Sequence, residues 1–315
     1  MKKLISIIIP VFNEEENIDS CYEKLKVVCD QLNKKYNFEF IFTDNASTDK
    51  TFTILKSLQK SDKNIRIFKL SKNFGYQRSI WTGYSLARGD AAIEFDCDLQ
   101  DPPELLPKFL EKWEMGFKII FGIRKSRKEN FFINTMRKTY YRLLNRISNE
   151  ELPINAGDFM LIDRILINLI KKEYDPNIYL RGTIFGYGFP KIGIEYARNK
   201  RYMGESKFNF TQLFPLARDG IISQSTLPLK MFLYLGILIF IVTTFLIILY
   251  LIVWIKDPSS LPSGFTTLVI FLLFSISLNN LAFGVLGHYL ARLYKLLQKT
   301  PMSIIEKKID FYEDK

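Results

Sequence analysis

Residues 91–103 read AAIEFDCDLQDPP, and this stretch decides the fold. Ala91–Phe95 has the apolar, β-prone character of a short strand buried on both faces, and it stops at Asp96, Asp98 and Gln100. Two carboxylates at i and i+2, with an amide oxygen two residues further on, are hard oxygen donors of the kind that Mg²⁺ or Mn²⁺ takes. A D-x-D on its own is usually a solvated turn. At the end of a buried strand it stands where open α/β sheets hold their ligands.

Four further runs, Leu4–Val11, Phe38–Thr43, Ile65–Leu70 and Phe117–Gly122, have the same buried-strand character. Between the first two, Ile18, Cys21, Leu25, Val28 and Leu32 recur at helical spacing. Asn73–Arg88 and Pro103–Met115 fill later gaps as helices, the second opened by prolines suited to a helix start. Strand and helix alternate as in a doubly wound α/β domain. The pattern brings Asn13-Glu14, Asp44-Asn45 and Asp96-Cys97-Asp98 to one edge of the sheet, after strands one, two and four.

Composition narrows the chemistry. The chain has 315 residues, 48% of them hydrophobic and 15% aromatic, which excludes intrinsic disorder. Cys21, Cys29 and Cys97 share no C-x-x-C spacing and His288 is the single histidine, so a Cys/His zinc site is excluded. No G-x-x-x-x-G-K-[ST] loop is present, which removes a P-loop nucleotide hydrolase. Lys2-Lys3 before LISIIIPVF imitates a signal peptide, but the apolar run is short and ends in Asn13-Glu14-Glu15-Glu16. It reads as a buried strand.

The formal charge is +11, and much of the excess lies in Lys118–Arg146, with nine Lys/Arg against Glu129 alone. Residues 191–230 interleave Lys191, Arg198, Lys200, Arg201 and Lys207 with aromatic and aliphatic residues, as interfacial helices do. Residues 231–255 and 265–291 contain no Asp, Glu, Lys or Arg, and each exceeds the roughly 20 residues that a spanning helix needs. Both read as transmembrane helices. The link between them is charge-neutral and the outer flanks are basic (Arg218, Lys230, Arg292, Lys295, Lys299), which places both termini and the globular part on the cytoplasmic side. For Lys125, Lys128, Lys138, Arg142 and Arg146, adsorption to anionic lipid is the simplest reading. The expected organisation is a catalytic domain over 1–190, basic juxtamembrane helices over 191–230, two spans over 231–291 and a cytoplasmic tail over 292–315.

Seven ordered blocks carry a resemblance across nearly the whole chain: Ser6–Glu15 (SIIIPVFNEE), Asp44–Asp49 (DNASTD), Asn73-Phe74-Gly75, Asp96–Pro103 (DCDLQDPP), Gly122-Ile123-Arg124, Gly157-Asp158-Phe159 and Gly204–Lys207 (GESK). Together they resemble glycosyltransferase family 2, and within it the polyprenyl-phosphate glycosyltransferases that are similar to dolichol-phosphate mannose synthase. The resemblance implies a Rossmann-like domain of GT-A type and an inverting, metal-dependent transfer. A single sugar would pass from a nucleotide sugar, UDP-linked in preference to GDP-linked, to a polyprenyl phosphate, undecaprenyl phosphate for a bacterial source. It implies that Pro10, Glu14 and Asp44 hold the nucleoside, that Asp96 lies beside the nucleotide, and that Asp98 and Gln100, with Asp96, bind Mg²⁺ or Mn²⁺. Arg124, Arg137, Arg201 and Lys207 would receive phosphates. Asp158 occupies the family's acidic position near the reacting centre, so Asp158, Asp96 and Arg124 are the candidate catalytic residues. The location implied is a plasma (inner) membrane, with the bilayer as a partner, nucleic acid excluded, and homo-oligomeric assembly in keeping with relatives. One departure stands out: Asp44-Asn45-Ala46-Ser47 replaces the common Asp-Asp-Gly-Ser.

Two rivals differ in what they need. A processive polysaccharide synthase shares the catalytic domain but adds spans and a Gln-x-x-Arg-Trp acceptor motif, whereas Gln77-Arg78-Ser79-Ile80-Trp81 has the wrong spacing. A membrane-tethered phosphate or nucleic-acid binder would need a positive patch and no metal, which leaves the D-x-D-x-Q unexplained.

Overall fold

A computed structural model describes residues 2–124, 156–175, 178–197, 264–298 and 300–310, with isolated positions between 234 and 252. The chain forms two units, Met1–Ser223 with Lys299–Lys315, and Gln224–Gln298. In the first unit the strands are β1 (Lys3–Val11), β2 (Tyr36–Asp44), β3 (Ile65–Leu70), β4 (Ala91–Glu94), β5 (Ile119–Arg124), β6 (Ala156–Asp163), β7 (Lys191–Tyr196) and β8 (Ile305–Ile309). The helices are α1 (Ile18–Leu32), α2 (Thr51–Ser61), α3 (Tyr76–Leu86), α4 (Leu106–Glu114), α5 (Arg164–Ile170) and α6 (Leu180–Gly186). All eight strands join one sheet in the order β7-β5-β6-β4-β1-β2-β3-β8.

The continuous apolar run of β1 is explained by its central place. Ile5, Ile7 and Ile9 enter the layer containing Leu25 of α1, Leu55 of α2 and Phe109 of α4, whereas Ile8 enters the opposite layer with Tyr84 of α3, Ile167 of α5 and Phe185 of α6. Helices therefore cover both faces, as expected of a Rossmann-like sheet. Pairing of β1 with β4 ends at Ile8↔Glu94 and pairing with β2 runs on to Val11↔Asp44, so the loops after all three strands open at the same edge.

Three features differ from the sequence expectation. The sheet is mixed, because β6 runs antiparallel to both β4 and β5. The sheet extends past residue 190 through β7, which pairs parallel with β5. The stretch expected as a tail contributes β8, antiparallel to β3. Its sequence IEKKI is mostly exposed and charged, which is how an edge strand avoids further pairing.

Beneath β8 lies a buried ionic cluster. Arg66, with 3% of its side chain exposed, donates to Glu39 at 2.8 Å and to Asp310 at 2.9 Å, and Arg88 reaches Asp310 at 3.1 Å. Ser6 Oγ and Arg88 N donate to Glu39 Oε1 at 2.6 and 2.7 Å. Further along, Arg78 of α3 donates to the carbonyls of Met302 and Pro301 at 2.5 and 2.8 Å, and Thr82 and Ser303 hydroxyls meet at 2.7 Å. The segment after residue 299 is thus an integral part of the first unit.

The second unit contains helix α7 (Phe265–Leu297), 33 residues long. Large apolar side chains along it are exposed, among them Leu268, Phe271, Phe274, Phe283, Leu290 and Leu297. Among the described residues, no helix is long and apolar enough to cross a membrane. The first expected span, 231–255, lies outside the described residues except at isolated positions, and many side chains of α7 lie outside them too.

Candidate active site

The loops after β1, β2 and β4 each contain a non-glycine residue in the left-handed region: Asn13 (φ 53°), Ala46 (φ 61°) and Leu99 (φ 55°). That backbone persists only where the surroundings over-determine it. Here the loops lace together. Asn13 N donates to Ser47 Oγ at 3.0 Å, Thr48 N to Asn13 Oδ1 at 2.9 Å, and Glu14 N to Thr51 Oγ1 at 2.9 Å. Ser47 N donates to one oxygen of Asp44 at 2.9 Å, and the other, Oδ2, is buried with no hydrogen-bond partner among the described residues. An unsatisfied buried acceptor costs about 1–3 kcal/mol. A nucleoside hydroxyl or ring N–H would remove that cost, which fits the role implied for Asp44.

Pro10 and Glu14, the other residues expected to hold the nucleoside, lie at the end of β1 and in the loop after it. Pro10 lies past the end of the β1–β4 pairing, where its missing amide costs no ladder bond on that side. Glu14 Oε2 accepts from Asn17 Nδ2 at 2.7 Å, so part of its carboxylate closes the start of α1.

Asn45 has a structural reason to depart from the common Asp. Its Nδ2 donates to Asn73 Oδ1 at 2.9 Å while its Oδ1 accepts from Phe74 N at 2.8 Å, and Asn73 Oδ1 also accepts from Gly75 N at 2.9 Å. A carboxylate at position 45 has no proton for Asn73. Turning the Asn73 amide to compensate would strand the Gly75 N–H.

At the D-x-D, Tyr76 Oη lies 2.6 Å from Asp96 Oδ1 and 3.1 Å from Glu94 Oε1. One hydroxyl proton cannot serve both. Burial, reinforced by the charges of Asp96, Asp158 and Asp101, pushes the Glu94 carboxyl well above the usual range, which leaves Asp96, at the shorter distance, the stronger acceptor for the tyrosine proton. Burial also pushes Asp96 up to about 7; the Tyr76 bond opposes the shift and the charges of Asp98, Asp101 and Asp158 add to it. Asp98 Oδ1 accepts from Gln100 N at 3.1 Å, closing the turn through Leu99.

So much negative charge over Asp96, Asp98, Asp101 and Asp158 suits a divalent cation. Among the described residues, no three His, Cys, Asp or Glu side chains gather as a ready-made metal cage. The donor set fits an ion held by one or two carboxylates plus substrate phosphates, the usual arrangement for Mg²⁺. Asp96 and Asp98, with the Gln100 amide, would supply the protein's share.

Arg124 is fixed by partners that the sequence did not single out. Its Nη2 donates to Asp101 Oδ2 at 3.1 Å and its Nε to Tyr196 Oη at 3.1 Å, while the Tyr196 hydroxyl donates to Asp101 Oδ1. Burial works against the guanidinium charge, but Asp101 and Tyr196 outweigh it. Two motif glycines make room: a Cβ on Gly157 would stand 3.0 Å from Arg124 Cζ, and one on Gly122 2.6 Å from the Tyr196 ring.

Asp158 is ion-paired with Arg181 of α6, at 3.1 Å from Nη2 and 3.2 Å from Nε. The charge of Asp158 is among those that raise Glu94 and Asp96, which puts it in the same acidic group. Arg181 carries no motif signal in the sequence. Tyr76 and Asp101 sit inside quoted blocks or directly after one, so position alone could have marked them. Arg137, Arg201 and Lys207 lie outside the described residues.

A Rossmann-like sheet with acids gathered at one edge beside a fixed arginine is an α/β domain of GT-A type. The chain belongs to glycosyl transferase family 2, whose sequence profile matches residues 6–170. It is 35% identical over 304 residues to the uncharacterised glycosyltransferase YkcC of Bacillus subtilis (strain 168), covering 96% of this chain and 93% of that protein. It is 34% identical over 306 residues to the bactoprenol glucosyl transferase of Shigella phage SfII, covering 96% and 97%. A solved mannosyltransferase from Pyrobaculum calidifontis, in complex with GDP-Man and Mn²⁺, is similar at 16% identity and a TM-score of 0.45, over 64% of this chain and 59% of that one. The protein is a glycosyltransferase.

Proposed function

We propose that the protein transfers one sugar from a nucleotide sugar, UDP-linked in preference to GDP-linked, to the phosphate of a polyprenyl phosphate, with inversion. The observation that carries this reading is the convergence of the buried, unpartnered Asp44 Oδ2 with the Asp96–Asp98 acids at one sheet edge, in a chain that matches a bactoprenol glucosyl transferase end to end. Asp44 accepts from the nucleoside, and Asp96, Asp98 and Gln100 hold Mg²⁺ or Mn²⁺. A bound divalent cation supplies Lewis-acid stabilisation of the departing diphosphate. Arg124 adds a fixed cation at the same edge.

In the transfer, an acceptor phosphate oxygen bonds to the anomeric carbon as the bond to the nucleoside diphosphate breaks on the opposite face. A phosphate monoester has a second pKa near 6 and is already mostly a dianion at neutral pH, so no strong base is required. That agrees with an Asp158 committed to Arg181: the pair orients the acceptor or the sugar, and Arg137, Arg201 and Lys207 receive the acceptor phosphate.

The acceptor sits in a bilayer, and residues 231–255 and 265–291 cross it, in an assembly that can include further copies of the chain. The circuit of the chain supports an even number of crossings, because strands from Lys3–Tyr196 and from Ile305–Ile309 share one sheet and so lie on one side. The basic flanks make that side cytoplasmic.

Purified protein in detergent, given undecaprenyl phosphate and a panel of labelled nucleotide sugars, should form one chloroform-soluble glycolipid, with formation lost on adding EDTA. Asp98→Ala should lower the rate by about 10²-fold or more, for the several kcal/mol that a metal contributes, and leave the melting temperature unchanged. Sugar appearing only on water-soluble acceptors, or turnover indifferent to EDTA, would overturn the assignment.

A further inference from the structure

We propose that Tyr76 is a positioning residue for Asp96, holding one carboxylate oxygen so that the other is presented to the metal–diphosphate group. The inference rests on the glycosyl-transfer reading above and adds to it a residue outside the set transferred from the family motifs.

Asp96 hangs from the end of β4 near Asp98 and Asp101, whose charges work against an unrestrained carboxylate there. The 2.6 Å bond from Tyr76 Oη to Oδ1 fixes the group against that repulsion. The tyrosine is itself held. It opens α3 directly after Gly75, whose φ of 90° turns the chain into the helix. Asn45 Oδ1 takes Phe74 N and Asn73 Oδ1 takes Gly75 N, which fixes the approach to the turn. The next two residues reach out in different directions: Gln77 Oε1 accepts from Leu180 N of α6 at 3.1 Å, and Arg78 clasps the carbonyls of Pro301 and Met302. One short turn therefore touches the D-x-D, the helix that carries Arg181, and the returning C-terminal segment. Its tyrosine has little freedom to drift from Asp96.

Tyr76→Phe removes only the hydroxyl. The test is calorimetric titration of the full-length protein with UDP and with GDP, each in Mn²⁺ and in EDTA, alongside a melting curve. Partners that orient metal ligands are worth 10–100-fold in metal affinity. Tyr76→Phe should therefore bind the preferred nucleotide about 10–100-fold more weakly in Mn²⁺, match the wild type in EDTA, and melt at the wild-type temperature. Wild-type affinity of the variant in Mn²⁺ would overturn the role of Tyr76 and leave the functional reading intact. Equal weakening with and without metal, or a lowered melting temperature accounting for the loss, would also overturn it, since the hydroxyl would then serve the nucleotide or the fold. Failure of the wild type to bind either nucleotide would overturn the functional reading, and this inference with it.

Discussion

Asp310→Ala should destabilise the catalytic unit by about 3 kcal/mol, although only five residues follow position 310 in the sequence. The Asp310 carboxylate, 1% exposed, accepts from Arg66 Nε and Nη2 at 2.9 Å and from Arg88 Nη2 at 3.1 Å. Removing it leaves the Arg66 fork buried with two donors deprived of that acceptor, and tips the Glu39–Arg66–Arg88–Asp310 group from balance to a net positive charge. Breaking a buried pair in this way costs about 3–5 kcal/mol. The lower end applies because Glu39 at 2.8 Å and the Leu86 carbonyl at 2.9 Å still hold the other side of Arg66. If lifting β8 off β3 costs less than that, the strand detaches locally instead of the unit unfolding. Urea unfolding of the detergent-purified protein measures the first outcome, and hydrogen exchange at Ile67–Leu70 with tryptic cleavage at Lys307 and Lys308 measures the second. An Asp310→Ala protein within about 1 kcal/mol of wild type, with unchanged exchange and cleavage, would refute the reasoning.

Ala46→Gly should stabilise the protein by about 0.5–1 kcal/mol, because Ala46 at φ 61° bears a Cβ penalty that glycine lacks, less the extra entropy glycine loses on folding; a melting curve checks this, and a fall in melting temperature would contradict it. Burial alone would raise the Asp62 carboxyl, but hydrogen bonds from Tyr22 at 2.6 Å, Asn64 N at 2.8 Å and Lys26 at 3.1 Å hold it below the usual range. Its contribution is therefore present above the unfolded value of about 4 and lost as pH falls through the lower folded value; urea midpoints of wild type and Asp62→Asn should differ at pH 7 and converge towards pH 3. Arg124→Ala should lose both activity and stability by taking the Arg124 cation from buried Asp101, and adding Asp101→Asn should restore the melting temperature without restoring glycolipid formation.

The parts of the fold that could be read from the sequence are those whose burial leaves a continuous pattern. β1, β2 and β4 are apolar on both faces, and their termini carry Asn13, Asp44 and Asp96, so strand and site were legible together. β8 was not, because IEKKI at an exposed edge has the composition of a solvated tail, and only Asp310 beneath it hints at a buried partner 244 residues away. The reversal at β6 was equally hidden, since strand direction is set by pairing with β4 and β5 and not by AGDFMLID itself. In the site, the acids expected to hold a metal were marked by the D-x-D spacing, and those expected at the nucleoside by the motifs that carry the family resemblance. Tyr196 and Arg181 contact groups distant in sequence, and a single tyrosine or arginine in a helix or strand has no local pattern to distinguish it from a surface residue. Asn45, where the common motif has Asp, serves a hydrogen-bond exchange with Asn73 that a carboxylate cannot complete, a reason that lies in the partner and not in the motif.

The place of β8 sets the order of events at the ribosome. When β3 has emerged, its outer edge must wait for about 235 further residues before its partner exists, roughly 10–50 s at ordinary elongation rates. Throughout that interval an open strand edge is available for mispairing, and Arg66 lacks half its counter-charge. Everything between 224 and 298 is translated before the edge can close. Closure therefore waits on the second unit: a chain interrupted between 224 and 298 lacks β8 and Asp310, which leaves the β3 edge open and Arg66 short of one counter-charge.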